Sequence, residues 1–272
     1  MRLLPGVILL RGALVGSALM AASVQAADTK AVLAVPQERE RTADFRASGR
    51  LVRVDGAGNR VSFPINIKAH WFPGVLRVLV EVGAGSKTGA NAAVSAHVPV
   101  HLLLEMRPDG QNAIEISHPG DKAPAMLPFE KWSDGPLGAG FSYEDFFEPQ
   151  YFWPGQALLD KTLRGSRNCN VLKSTPGSTD RTHYGEVRTW LDQTIGFPVY
   201  VEKTLKGSGT VKEYTYFGLR QNGGLWSAKQ VEAKLHGQAG STLLIIDRGS
   251  PKANLSLKDF SGAQISHFQD GP

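Results

Sequence analysis

The sequence predicts a mainly β protein with one antiparallel run of about eleven strands and a short helical cap, either a barrel or a curled open sheet. Apolar and polar residues alternate with period two through most of the 272-residue chain, which is typical of strands with one buried face. Glycine, proline and asparagine recur between these stretches and indicate turns. A segment rich in aromatic and acidic residues, 138–153, interrupts the alternation.

The N-terminus has the composition of a secretory signal peptide. Arg2 and Arg11 supply positive charge, residues 12–22 are apolar, and Val24-Gln25-Ala26 has the small residues of a cleavage site. We expect cleavage after Ala26, an exported and soluble mature protein, and one domain over residues 27–272. No later run approaches the roughly 18 apolar residues of a membrane-spanning helix.

Charge and cysteine content narrow the class of protein. The net charge is +5 and the basic residues are scattered, so nucleic acid is not expected as a partner. Cys169 is the single cysteine and cannot form an internal disulfide. Its strand-like surroundings indicate a small buried residue, and no cofactor is expected.

The first half of the chain contains the clearest strand patterns. Pro36 restricts the region before them to a short helical turn over residues 37–44. Strands are expected over 45–55, 60–71, 76–82, 97–107 and 113–117. One face of the second and third strands is expected to be buried through Val61, Phe63, Ile65, Ile67, Leu76, Val78, Val80 and Val82. Residues 83–96 are expected to form a flexible loop, and 118–137 an irregular proline-rich stretch.

The second half is expected to be a meander. Residues 157–164 fit either a short helix or a strand. Strands are then predicted over 169–174, 184–192, 199–205, 211–221, 225–236, 242–247 and 253–259. Asn222-Gly223-Gly224 is a hairpin turn signal.

The segment at 138–153 is the candidate site. If residues 142–148 are helical, Tyr143, Phe146 and Phe147 share one face and Ser142 caps the first turn. The rings either fill the core or form the lid and lining of an apolar cavity. The hypothesised ligand-binding residues are Phe141, Tyr143, Phe146, Phe147, Tyr151, Phe152 and Trp153. Three acids among them, Glu144, Asp145 and Glu148, are interpreted as a solvated face.

Motifs for catalysis or metal binding are weak. His97 and His101 lie four residues apart in a strand-like stretch, which separates them by about 13 Å, too far for one zinc ion. Gly83–Thr88 resembles a phosphate-binding loop only superficially, because Ser86 precedes Lys87. No G-x-S-x-G elbow is present. We therefore expect no metal and no enzyme activity.

Several stretches resemble the LolA-like outer-membrane lipoprotein-sorting proteins. They are Phe141-Ser142-Tyr143-Glu144-Asp145, Val187–Glu202 with its W-L-D and F-P elements, Glu213–Leu219 with Gly224-Leu225-Trp226, and Ser48-Gly49-Arg50-Leu51. The resemblance extends over residues 45–260 and is distinctive after residue 138. Pro36 leaves little room for the helix that the family has before its first strand.

The resemblance implies a half-open β-barrel with an apolar concave side covered by helices. Such proteins carry lipids or the acyl chains of lipoproteins across the periplasm, from an inner-membrane donor to an outer-membrane acceptor, in outer-membrane biogenesis. The resemblance therefore implies a periplasmic carrier of a hydrophobic ligand. Two alternatives remain open: an envelope sensor or scaffold that binds a protein partner, and a secreted enzyme on the same fold.

Overall fold

The computed structural model describes residues 15–88, 99–135 and 140–261. The elements of the first half are α1 (Val15–Arg41), β1 (Asp44–Val54), β2 (Arg60–Phe72), β3 (Val75–Val82), β4 (Ser86–Thr88), β5 (Val100–Met106), β6 (Ala113–Ser117) and β7 (Ala125–Met126). Short 3-10 helices span Phe129–Lys131, Tyr143–Phe146, Pro149–Phe152 and Leu257–Phe260. The remaining strands are β8 (Gly155–Leu158), β9 (Thr162–Arg164), β10 (Arg167–Thr175), β11 (Tyr184–Asp192), β12 (Pro198–Leu205), β13 (Val211–Phe217), β14 (Arg220–Asn222), β15 (Leu225–Ser227), β16 (Gln230–Leu235) and β17 (Ser241–Pro251).

Most of the strands form one large antiparallel sheet. Its order is β7-β6-β5-β3-β2-β1-β17-β16-β13-β12-β11-β10-β8, with β4 beside β2 and β9 beside β10. Strands β14 and β15 form a separate hairpin. The edge strands β7 and β8 do not pair with each other within the described ranges. The predicted curled, half-open antiparallel sheet with a helical cap is therefore confirmed, with more and shorter strands than the eleven expected.

The two halves of the chain meet in the middle of this sheet. Strand β1 pairs with β17 from Phe45 opposite Pro251 to Val54 opposite Ser241, with a bulge at Ser48/Gly49. On the solvent side, Arg50 makes a bidentate ion pair with Asp247, with N–O distances of 3.0 and 3.1 Å. The first and last long strands thus join two half-sheets. The N-terminal half-sheet contains β1 to β7, and the C-terminal half-sheet contains β8 to β13, β16 and β17.

The two largest apolar clusters lie in the interior. The first is formed mainly by alternate positions of β2, β3 and β5, and the predicted buried face of these strands is confirmed at Phe63, Ile65, Ile67, Leu76, Val78, Val80 and Val82. Val61 is partly buried against the same cluster. The second is formed by the C-terminal half-sheet and includes Val187, Val201 and Tyr214. Cys169 is buried in β10 as expected.

The prediction that Pro36 restricts the N-terminal region to a short helical turn over residues 37–44 is wrong. Helix α1 runs from Val15 to Arg41 with Pro36 inside it. Tertiary contacts offset the hydrogen bond that proline cannot make: Val32 and Leu33 pack against a buried cluster that includes Tyr151, and the Gln37 side-chain amide donates to the Tyr151 carbonyl at 2.7 Å. The described helix is not long and apolar enough to span a membrane.

The predicted final strand at 253–259 is also wrong. Lys252 and Asn254 have φ values of 58° and 53°, in the left-handed region that ends a strand. The Asp44 carboxylate accepts the backbone N–H groups of Asn254 and Leu255 at 2.9 and 3.0 Å. The chain then forms the 3-10 helix Leu257–Phe260, whose Phe260 packs on the outer face of the sheet.

Smaller differences concern the loops. Residues 157–164 contribute to two short strands, β8 and β9. The stretch 118–137 contains β7 and a 3-10 helix. In the predicted loop 83–96, Ser86–Thr88 pairs with β2, and residues 89–96 lie outside the described ranges.

Substitution of Gly49 tests how closely β1 and β17 approach each other at the bulge. A Cβ atom there would lie 1.9 Å from the Ile245 carbonyl oxygen, so we expect Gly49→Ala to lower the free energy of unfolding by about 2–4 kcal/mol. Gly249→Ala is the matched control, because its nearest atoms are 3.9 Å away. Urea denaturation measures both. Equal stability of the two variants would contradict the proposed close approach at the bulge.

Candidate functional site

The aromatic segment connects opposite edges of the sheet. It follows β7 at one edge and precedes β8 at the other, so it passes between the two half-sheets. Its described part, residues 140–153, contains two 3-10 helices rather than the single helix expected over 142–148, and Phe147 between them is extended. The predicted cap is confirmed: Ser142 and Asp145 form a capping box at the start of the first turn.

The seven hypothesised ligand-binding rings divide into two groups by exposure. Four are buried: Phe141, Phe147, Tyr151 and Trp153. Three are half-buried: Tyr143, Phe146 and Phe152. Phe147 belongs to the first interior cluster and Phe141 and Trp153 to the second, whereas Phe146 packs against both. The buried rings therefore hold the half-sheets together, and the half-buried rings are the ones a ligand can reach with the least rearrangement.

The interpretation of the three acids as a solvated face is wrong. Glu144 is 3% exposed and Asp145 9% exposed, while Glu148 is half-buried. Each acid has a basic partner from another part of the chain, and those partners are what allow a charge to be buried.

Asp145 is held by what we call the Asp145 cluster: Ser142, Asp145, Tyr184, Lys203 and Lys212. Its Oδ1 accepts hydrogen bonds from Tyr184 Oη at 2.7 Å and Lys203 Nζ at 2.9 Å. Its Oδ2 accepts the Ser142 backbone N–H and hydroxyl, both at 2.7 Å. Lys212 Nζ lies 3.4 Å from Oδ2 and donates to Ser142 Oγ at 2.9 Å. The segment is thereby fixed to strands β11, β12 and β13.

The two lysines need this carboxylate. Lys203 in β12 pairs directly with Lys212 in β13, and two like charges in opposite positions are destabilising. The rings of Tyr184 and Tyr214 lie 5.1 and 4.8 Å from Lys203 Nζ and add cation–π contacts. The sequence contains a signal for this cluster. Lys203 lies two residues after Val201 and Lys212 two residues before Tyr214, so the alternation of a strand places each lysine on the same buried face as its neighbour.

The environment sets the ionisation of the cluster. Burial alone would raise the pKa of Asp145, but the charges of Lys203 and Lys212 and the hydrogen bonds hold it well below its usual range. Burial and the nearby Asp145 charge raise the pKa of Tyr184 well above 10. Asp145 is therefore a carboxylate and Tyr184 a neutral donor at neutral pH, an arrangement suited to anchoring rather than to proton transfer.

The other two acids have separate partners. Glu144 accepts hydrogen bonds from Thr182 Oγ1 at 3.3 Å and the His183 backbone at 3.2 Å, and its Oε1 lies 3.2 Å from His183 Nδ1. Glu148 forms an ion pair with Arg39 of α1 and accepts a hydrogen bond from Tyr216 at 3.2 Å.

Helix α1 is held against the segment by Arg39. Its guanidinium pairs with Glu148 and Glu40 and lies 5.5 and 5.1 Å from the rings of Tyr151 and Phe197. Burial raises the pKa of Glu40 to about 7; Arg39 opposes this rise and Glu148 adds to it. The contact between α1 and the aromatic segment therefore includes a group, Glu40, whose charge changes near neutral pH.

The described residues contain no group of three metal-ligating side chains. His101 is buried in β5, and His97 lies outside the described residues, so the geometry of that pair stays a prediction. Ser86–Thr88 of the phosphate-loop-like stretch is strand β4, not the loop that begins a helix.

Charge neutralisation of Asp145 tests the cluster. We expect Asp145→Asn to destabilise the fold by about 3–5 kcal/mol, because two buried lysines lose their counter-charge. Asp134→Asn is the control, since its ion pair with Lys131 at 3.4 Å is exposed and should contribute less than about 0.5 kcal/mol. Chemical denaturation at neutral pH distinguishes them. A small effect of Asp145→Asn would show that the lysines are satisfied in another way.

The Glu40 contact predicts a pH dependence. A raised pKa means that the folded protein binds more protons than the unfolded chain between about pH 4.5 and 7, so stability falls as pH rises through that window. We expect a loss of roughly 1–3 kcal/mol between these limits, absent in Glu40→Gln. Thermal unfolding at several pH values, with the exposed Glu38→Gln as control, measures it. An identical slope in Glu40→Gln would contradict the assignment.

Comparisons with known proteins agree with this fold. A family model described as "Uncharacterized protein" matches residues 130–267. The chain matches no curated protein. Three solved structures are similar over nearly their whole length. An outer membrane lipoprotein-sorting protein domain from Vibrio parahaemolyticus has 18% sequence identity and a TM-score of 0.71, and the match covers 87% of this chain and 99% of that chain. A DUF1329 family protein from Desulfovibrio piger has 12% identity and a TM-score of 0.73, with 89% of this chain and 99% of that chain covered, and a LolA superfamily protein from Nitrosomonas europaea has 14% identity and a TM-score of 0.59, with 87% and 98% covered. At these identities the likeness concerns the fold.

Proposed function

Because the chain belongs to the family whose model spans residues 130–267 and has the fold of LolA-like proteins, we propose that it is a periplasmic, non-enzymatic carrier of a hydrophobic ligand. The ligand is a lipid or the acyl chains of a lipoprotein, moved between an inner-membrane donor and an outer-membrane acceptor. The observation that carries the proposal is the apolar concave side of an open sheet, crossed by an aromatic segment.

The energetics of acyl binding suit such a surface. Each buried methylene contributes about 0.8 kcal/mol, so a long chain binds through contact area alone. The interior of the N-terminal half-sheet supplies aliphatic side chains from β2, β3 and β5. No catalytic group is required for this binding, and the acids that could have served as acid and base are engaged with Lys203, Lys212, His183 and Arg39.

The anchoring of the segment restricts how a ligand enters. The Asp145 cluster fixes the first turn, and Phe147 is buried within the first cluster. Chain entry therefore displaces the half-buried rings around this fixed point. Phe146, in contact with both clusters, and Phe152, stacked on Trp71 at 5.6 Å, are the rings that move.

The first experiment is to identify the native ligand. The mature protein, purified gently from the periplasm, is extracted with organic solvent and the extract is analysed by mass spectrometry. A stoichiometric lipid or acylated peptide supports the proposal. An empty protein that also fails to bind a fluorescent fatty acid would overturn it and favour a protein partner.

Ring truncation tests the entry route. We expect Phe146→Ala combined with Phe152→Ala to weaken fluorescent fatty acid binding about tenfold, because the lost apolar contact is worth about 1–2 kcal/mol. Phe217→Ala is the control, since this β13 ring is 44% exposed. Unchanged affinity in the folded double variant would contradict the entry route through these rings. Phe147→Asp is not informative, because a charge at this buried position unfolds the protein.

A further inference from the structure

A cavity with charged side chains in its lining lies near the aromatic segment, and apolar binding does not explain these charges. It has a volume of about 410 Å³. Its walls come from Phe129 of a 3-10 helix, from the loop before β11 and from the turn after β12. We call it the Arg181 cavity.

Two cations line the Arg181 cavity. The Arg181 guanidinium lies over the ring of Trp132 at 4.9 Å and that of Phe129 at 5.6 Å, so aromatic contacts fix its plane. Lys206 Nζ donates to the Thr182 carbonyl at 3.0 Å. In the described part of the chain, neither cation forms an ion pair with an acid, so both charges remain available to a ligand.

A histidine, His183, also lines the cavity. The His183 ring stacks on Phe129, with centroids 4.2 Å apart and planes at 9°. Its Nδ1 lies 3.2 Å from the buried Glu144 carboxylate, which leaves Nε2 as the nitrogen for a ligand. Hydroxyl groups of Ser133, Thr179 and Ser208 are also in the lining.

One acid opposes this positive charge. Asp180 lines the cavity, and its Oδ2 accepts the backbone N–H of Gly177 at 2.7 Å, so part of its charge stabilises a turn. The lining therefore has two permanent cations, Arg181 and Lys206, against one carboxylate.

Two apolar residues of the cavity lining also pack against the interior clusters. Phe129 also packs against the first interior cluster, and Leu205 packs against the second. A ligand with a polar end in the cavity would therefore have an apolar end next to both clusters.

We propose that the Arg181 cavity binds the phosphate group of an amphipathic ligand whose acyl chains lie in the apolar interior. The inference rests on the proposed carrier function and adds the chemical class of the headgroup. A planar guanidinium offers paired N–H donors that match phosphate oxygens. Lysine and hydroxyl groups supply further donors for a tetrahedral anion.

The test compares three soluble probes by isothermal titration calorimetry on the mature protein: octyl phosphate, octyl glucoside and inorganic phosphate. We expect octyl phosphate to bind about tenfold more tightly than either other probe, since only it satisfies both regions. Binding of octyl phosphate should weaken at high ionic strength. The combined variant Arg181→Gln and Lys206→Gln should bind it about tenfold more weakly and leave octyl glucoside binding unchanged.

The controls use matched charge changes. Arg53→Gln combined with Lys161→Gln removes the same charge from exposed positions outside the cavity and should leave all affinities within about twofold. Asp180→Asn should strengthen octyl phosphate binding, because it removes the opposing charge. If Asp180→Asn instead weakened octyl phosphate binding and the Arg181/Lys206 variant strengthened it, the cavity would be a cation site and the proposal would be overturned.

The outcomes separate this proposal from the carrier function. If both alkyl probes bind equally and the Arg181/Lys206 variant changes neither, the headgroup site is overturned while the carrier stands. If inorganic phosphate binds as tightly as octyl phosphate and the variant loses both, the anion is free phosphate and the lipid headgroup is overturned. If, in addition, octyl glucoside does not bind, the carrier function fails as well. If no probe binds, both are overturned.

Discussion

The burial of one carboxylate between two lysines determines how the rest of the structure is arranged. Strands β12 and β13 place Lys203 and Lys212 opposite each other on the inner face of the sheet, where neither charge is stable alone. Asp145 supplies the counter-charge, so the aromatic segment must pass across this inner face. The rings on both sides of Asp145 then enter two different clusters and tie the half-sheets together.

The sheet was predictable because strand periodicity is local. The alternation in β2 and β3 identifies the buried face without knowledge of any partner strand, and the structure places Phe63, Ile65, Leu76 and Val78 inside. The turn after residue 192 also depends on residues that are close in sequence, because the Asp192 side chain accepts hydrogen bonds from the backbone N–H groups of Thr194 and Ile195. Short strands such as β4 and β7 escaped prediction, because two or three residues carry too little pattern.

The errors concern features that depend on distant residues. Helix α1 continues through Pro36, and one of its anchors is the bond from Gln37 to Tyr151, 114 positions away. The acids of the segment are buried because of partners such as Lys203, 58 positions from Asp145. The aromatic segment was identified correctly as the unusual element, but local sequence does not reveal which of its rings are buried. The strand alternation that places Lys203 and Lys212 on the buried face was the signal that could have revealed the Asp145 cluster.

The pairing of β1 with β17 has a consequence for how the protein folds. Arg50 and Asp247 meet across this pair although 197 positions separate them. Contacts between such distant residues form slowly, because a long loop must close before they stabilise anything. Until then the N-terminal half-sheet presents the open edge of β1 to solvent. Loss of β17 therefore divides the sheet at its centre, whereas loss of β7 or β8 only shortens an edge.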